Sequence, residues 1–281
     1  MGQVISIINM KGGVGKTTLS IGIADYLSEN EKKILLIDAD PQFNATQAMI
    51  DCYKNKDCES EENFYNIEVL PQEKTIYKLF KPQLDMMHSY STPSASELII
   101  NLKDNLDILC GDLNLVLVNK VSDHAFVRRI RNFIDDNKLR DEYDYIIIDC
   151  PPTLTIYTDS ALMASDYYLI PNRIDRYSIV GIDSLQKAVK NLIREERIKL
   201  ECIGLVYTMV TTSKKQEKLK NSFESKKALD DIDIFSAKTS VVNNIQVGVA
   251  GSIPTKYQDS RNDIEAISIE LLERMEGNKN V

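Results

Sequence analysis

The chain lacks tryptophan, has no apolar run long enough to cross a bilayer and has no cysteine pair at metal-binding spacing. Without a stretch of about 20 apolar residues, no membrane-spanning helix is expected. The cysteines are Cys52, Cys58, Cys110, Cys150 and Cys202, an odd set with no CxxC or CxxH. That pattern implies free thiols in a reducing cytosol and argues against a disulfide frame or a zinc site. The apolar opening, Val4 to Ile8, is short and has no basic flank, so no secretory leader is expected. Basic charge is also in deficit: 34 Lys and Arg face 42 Asp and Glu, for a net −8. A protein built around nucleic acid ordinarily has a basic surface, so the overall balance argues against one. The deficit is uneven, however. Between Gln186 and Lys227, eleven Lys or Arg face five Glu.

With 281 residues, 43% of them hydrophobic, the chain can bury a substantial core. Short apolar runs read as buried strands: Val4 to Asn9, Ile34 to Asp38, Leu106 to Cys110, Tyr145 to Asp149, Asp166 to Pro171, and one within Ile198 to Met209. Helical spacing separates them. Leu19, Ile23, Ala24 and Leu27 share a face, as do Phe126, Ile130, Phe133 and Ile134. Two more faces are Ile182, Leu185, Val189, Leu192 and Ile193, then Ile264, Ile267, Leu271, Leu272 and Met275. This alternation predicts an α/β fold, a mostly parallel central sheet with helices on both faces. No linker divides the chain, so one domain over 1–281 is expected. A polar insertion at about 51–96 holds loops and short helices, with Pro71, Pro82 and Pro93.

The chemistry is concentrated at strand ends, where ligands of such sheets bind. After the first strand comes Lys11-Gly12-Gly13-Val14-Gly15-Lys16-Thr17-Thr18. Glycines let backbone N–H groups turn inward around phosphate oxygens, and the following helix directs its positive end at the same anion. Lys16 is placed to meet the β- and γ-phosphates, Thr17 a Mg²⁺ ion, and Thr18 the α-phosphate. Lys11 is the unusual member. In a loop that closes on itself it would point away from its own triphosphate and could reach a nucleotide in a facing subunit. Asp38 and Asp40 end the second strand, and Asp149 ends a later one. Asp149 fits a metal-holding acid, Asp38 a place near the lysine or the metal, and Asp40 a group that orients water.

KGGVGKTT, LLIDADPQFNAT and YIIIDCPP together resemble the deviant Walker A, switch I and switch II motifs of ParA-type partition ATPases, in the ParA/Soj/MinD superfamily. The resemblance implies a P-loop NTPase of the SIMIBI-like class. It implies ATP and Mg²⁺ as ligands, with ATP sandwiched in a homodimer. Lys11 would act across that dimer, Asp40 would activate water, and Asp149 would be the switch II acid; Gln42, Asn44 and Thr46 would lie in switch I. Met209 would line the adenine pocket, with Thr239 and Ser240 near a loop covering the base. The chain resembles the short branch, without an N-terminal helix-turn-helix. Expected partners are non-specific DNA and a centromere-binding ParB-like protein, in a cytoplasmic, nucleoid-associated setting. Lys187, Lys190, Arg194 and Arg197, with Lys214, Lys215 and Lys218, are the candidate DNA patch. The resemblance also admits a MinD-type membrane-positioning ATPase, but Glu265, Glu270, Glu273 and Glu276 make the final helix unsuited to anionic lipid. An iron protein would need two cluster cysteines, and only Cys150 lies in a switch. A non-catalytic nucleotide-dependent scaffold is opposed by retention of Lys11, Lys16, Asp40 and Asp149.

Overall fold

The structure, a computed structural model, describes every residue except 56–62, 82–90, 119–123, 176–177, 212, 226–228, 230, 242–250 and 280–281, and the side chains at 178–179 and 278–279. Strand β1 (Gln3–Ile7) sits inside one eight-stranded sheet. The others are β2 (Ile34–Asp38), β3 (Ile100–Lys103), β4 (Leu106–Leu109), β5 (Tyr145–Asp149), β6 (Tyr167–Arg173), β7 (Glu201–Val210) and β8 (Ile234–Ser240). Their order across the sheet is β3-β4-β2-β5-β1-β6-β7-β8. All neighbours run parallel except β3, which pairs antiparallel with β4. The central strands β1, β2 and β5 are buried nearly end to end. They can be continuously apolar because both faces are covered.

One face carries α1 (Lys16–Glu29), α2 (Asn44–Tyr53) and the long α7 (Gln258–Lys279), through a core that includes Leu19, Ile23, Met49, Ile264 and Leu271. The other carries α3 (Arg129–Asp136), α4 (Ile156–Ala164), α5 (Ser178–Glu196) and α6 (Lys214–Glu224), around Phe133, Tyr157, Leu185 and Phe223. The four apolar faces read from sequence therefore fall on core surfaces. Phe126 is a local exception: it lies on a 3₁₀ turn, His124–Arg128, that leads into α3. Ile264, Ile267, Leu271 and Met275 are buried, so the apolar side of α7 is spent on the core. Among the described residues, no helix is long and apolar enough to cross a membrane.

Two strands are additions to the sequence reading, and both are sheet edges. In β3 every second residue faces inward, and in β8 Ser236, Lys238 and Ser240 lie on the outer side. The insertion follows α2, adds a π-helical turn at Tyr65–Val69 and helical turns at Tyr77–Phe80 and Ala95–Leu98, then enters β3. Tyr65 and Val69 join one core face and Ile76, Leu79 and Phe80 the other. The chain thus crosses from one side of the sheet to the other over the carboxyl end of β4, where Ile76 N–H donates to the Cys110 carbonyl at 2.8 Å.

Helix α1 approaches α7 closely at Gly22, where an added Cβ would lie 2.7 Å from both Ile264 Cδ1 and Pro254 Cγ. Replacing this glycine should therefore cost packing even though almost any residue is a better helix former. Gly22→Val is expected to lose about 1–3 kcal/mol of stability in denaturant unfolding. An unchanged or raised midpoint would show that the two helices are not pressed together here.

Candidate nucleotide site

The loop after β1 turns into α1 through Gly15, whose φ of 84° is left-handed and suits glycine. Several contacts hold the loop in place. Asn9 is buried and donates its amide to the Pro171 carbonyl at 2.8 Å, while its Oδ1 accepts from Lys11 N–H at 3.0 Å. Thr208, at the end of β7, donates its hydroxyl to the Val14 carbonyl at 2.8 Å. Gly12 and Gly13 have open space beside them, as a loop that must admit phosphate oxygens requires.

Parallel pairing places Asp38 beside Asp149 across β2 and β5. Asp149 is fully buried and grips the first turn of α1. Thr17 Oγ1 donates to its Oδ2 at 2.8 Å, and Ser20 Oγ to its Oδ1 at 2.9 Å. Lys16 is also buried, with its ammonium donating to the Lys11 carbonyl at 3.2 Å. Burial lowers its pKa, and the nearby Asp149 and Asp40 carboxylates oppose that shift. A hydroxyl facing a carboxylate is a sparse donor set. It suits Mg²⁺, which keeps most of its waters and takes further oxygens from substrate phosphates.

The other expected residues fall as follows. Asp40 is nearly buried, and its Oδ1 accepts from Gln42 N–H at 2.9 Å. Asp38, expected near the metal or the lysine, lies beside Asp149 and has hydrogen-bond partners of its own. Its Oδ2 accepts from both the N–H and the hydroxyl of Thr46 at 2.8 Å, and its Oδ1 from Asp40 N–H at 3.2 Å. It thereby anchors the start of α2. The Lys11 ammonium pairs with Asp175, in the loop after β6. Met209, Thr239 and Ser240 line one cavity with Gly15, Thr18, Leu19, Pro254 and Ile264. Met209 has a φ of 52°, and its N–H donates to Thr239 Oγ1 at 3.0 Å.

The basic residues lie elsewhere. Lys187, Lys190 and Arg194 are exposed on α5, and Arg197 follows it. Lys187 pairs with Asp183, Lys190 with Asp231, and Arg194 reaches Glu195 at 4.0 Å. Lys214, Lys215 and Lys218 are exposed on α6. Sequence reading missed Asn9, Thr208 and Asp175 entirely, and it missed the partner that Thr46 takes. None of these roles belongs to a local motif, because each acts on a residue distant in sequence or through a single side chain.

Loop, helix and paired strand-end acids define the class: this is a P-loop NTPase. A family model described as an AAA domain matches residues 2–202. The sporulation initiation inhibitor protein Soj of Bacillus subtilis is 31% identical over 215 residues, 75% of this chain and 74% of Soj. The chromosome partitioning protein ParA of Myxococcus xanthus is 32% identical over 209 residues, 74% of this chain and 65% of that one. A plasmid partition protein from Borrelia burgdorferi, solved bound to AMPPNP, shares the fold with a TM-score of 0.73 at 23% identity, covering 97% of this chain and 99% of that one. The chain belongs to the ParA/Soj family of partition ATPases.

Two buried carboxylates side by side have a measurable cost. Burial holds Asp38 above the usual carboxylate range, and the adjacent Asp149 charge adds to it. Burial raises Asp149 too, against the hydrogen bonds from Thr17 and Ser20. The folded state therefore keeps protons that the unfolded chain releases near pH 4, so stability falls as pH rises through the raised values. The thermal midpoint of nucleotide-free protein should decline from about pH 5 to about pH 8, and Asp38→Asn should flatten the decline. An identical slope in that variant would contradict the pairing.

Proposed function

We propose that this chain is a DNA-segregation ATPase, a switch whose ATP-bound dimer holds DNA without sequence preference. A centromere-binding ParB-like partner would trigger hydrolysis and release. The observation that supports this reading is the joint placement of Lys16, Thr17 and Asp149, with the Lys11 ammonium paired to Asp175. Residues 1–281 act as one unit built on the single sheet. The setting is the cytoplasm, on the nucleoid.

Lys16 and the loop N–H groups bind the triphosphate, and Thr17 with Asp149 would hold Mg²⁺. The metal supplies neutralisation of charge on the phosphate oxygens. Asp40 accepts a hydrogen bond from the attacking water through its carboxylate and orients it. Thr18 and the cavity formed by Met209, Thr239 and Ser240 take the rest of the nucleotide. Lys11 supplies positive charge to the partner subunit's nucleotide once it leaves Asp175, and the resulting contact is isologous. The family relatives named ParA and Soj support the partition role.

DNA contact is assigned to the exposed lysines. On α5 they are partly neutralised by their acidic neighbours. Lys214, Lys215 and Lys218 form no ion pair among the described residues, so α6 is the stronger half of the patch. Such lysines bind phosphate and not sequence.

Two experiments test the reading. Lys16→Ala is expected to abolish nucleotide binding, whereas Asp40→Ala keeps binding and loses turnover; full ATPase activity in Asp40→Ala would refute its role. DNA affinity should depend on ATP and drop steeply with salt. In Lys214→Glu/Lys215→Glu/Lys218→Glu the log–log salt slope should shrink by roughly one for each phosphate that is no longer neutralised. Binding that ignores ATP or salt would exclude DNA as the cargo-bearing ligand.

A further inference from the structure

The polar insertion touches the loop that carries Asp40. Phe43 opens α2 with a φ of 42°, a left-handed conformation that a bulky residue keeps only under constraint. The constraint is Tyr65, from the π-helical turn of the insertion. The two rings stack with centroids 5.2 Å apart and planes 14° from parallel. Tyr65 is buried and donates its hydroxyl to the Gly111 carbonyl at 2.8 Å. Gly111 N–H in turn donates to Thr46 Oγ1 at 2.7 Å, and Thr46 holds Asp38. A side chain at Gly111 is not accommodated, since a Cβ there would lie 2.7 Å from Phe43 Cβ. The insertion is itself fastened at this end, where Thr75 donates to Asp112 at 2.7 Å.

The same loop sets Asp40. Phe43 N–H donates to the Asp40 carbonyl at 2.8 Å, and the next N–H back, from Gln42, donates to the Asp40 carboxylate. Asp40 and Phe43 therefore form the ends of one tight turn. A strained residue at one end fixes the direction of the carboxylate at the other. Tyr65 reaches this turn from outside it, 25 residues downstream of Asp40.

We propose that Tyr65 is a positioning residue for hydrolysis: through its stack on Phe43, the insertion holds the turn that aims Asp40. This rests on Asp40 being the group that orients the attacking water. Both rings line a second cavity, with Gln47, Asp112 and Asn114, and not the one that holds Met209 and Thr239.

The test measures steady-state ATP hydrolysis, affinity for AMPPNP and the thermal midpoint in five proteins: wild type, Tyr65→Leu, Tyr65→Phe, Phe43→Leu and Asp40→Ala. Tyr65→Leu and Phe43→Leu should each lower kcat about tenfold, with KM and AMPPNP affinity unchanged. Tyr65→Phe keeps the ring and should stay within about twofold of wild type. Wild-type kcat in either leucine variant, beside an inactive Asp40→Ala, would overturn the proposal. Equal losses in Tyr65→Phe and Tyr65→Leu would also overturn it, by assigning the effect to the hydroxyl. Full turnover in Asp40→Ala would instead refute the reading of Asp40 on which the proposal rests.

Discussion

The grip of Asp149 on the first turn of α1 is the contact that organises this molecule. A carboxylate buried at the end of a central strand is costly unless its oxygens are satisfied. Here Thr17 and Ser20 satisfy them, one on each oxygen. The strand-end acid and the helix that follows the phosphate loop are therefore held in register. Asp38, one strand over, cannot share those donors. It takes the backbone and hydroxyl of Thr46 instead. The two acids thus tie two different helices to the carboxyl end of the central strands, α1 through Asp149 and α2 through Asp38. Phosphate binding is built on the first, and the turn containing Asp40 on the second.

Much of this was legible in the residues, because the central strands are buried on both faces and the nucleotide loop is a contiguous motif. Ile34–Asp38 and Tyr145–Asp149 are unbroken apolar runs ending in acids, and the structure keeps those bounds. The edges were illegible for the opposite reason. Ile100–Lys103 alternates inward and outward, and Ile234–Ser240 turns serines and a lysine outward, so neither shows a continuous apolar signal. The support around the site was hidden too. Asn9, Thr208 and Asp175 act on residues that sequence places far away or in another element. The hydrogen bonds from Thr46 to Asp38 were equally hidden, because they depend on how α2 packs at the end of β2. Phe43 and Tyr65 look like ordinary apolar residues until the left-handed backbone and the stacked rings are seen together.

Charge is divided along the same lines. The acids that matter to the nucleotide are buried at strand ends, while the lysines of α5 and α6 are exposed on one side of the sheet. A net charge of −8 is therefore compatible with a local cationic surface. Lys11 is a further cation, in the loop after β1. In this structure it is neutralised by Asp175 within its own chain. Under the proposed function it would have to exchange that carboxylate for the phosphate of a second subunit.

The proposed partition switch depends on nucleotide timing the pairing of two copies through Lys11. Sedimentation velocity with ATP and Mg²⁺ reads that pairing, on Asp40→Ala so that the nucleotide persists. A doubled mass is expected with ATP, a single-chain mass with ADP, and a single-chain mass with ATP when Lys11→Ala is added. A mass that ignores the nucleotide, or dimers that form equally well without Lys11, would contradict the role given to this lysine.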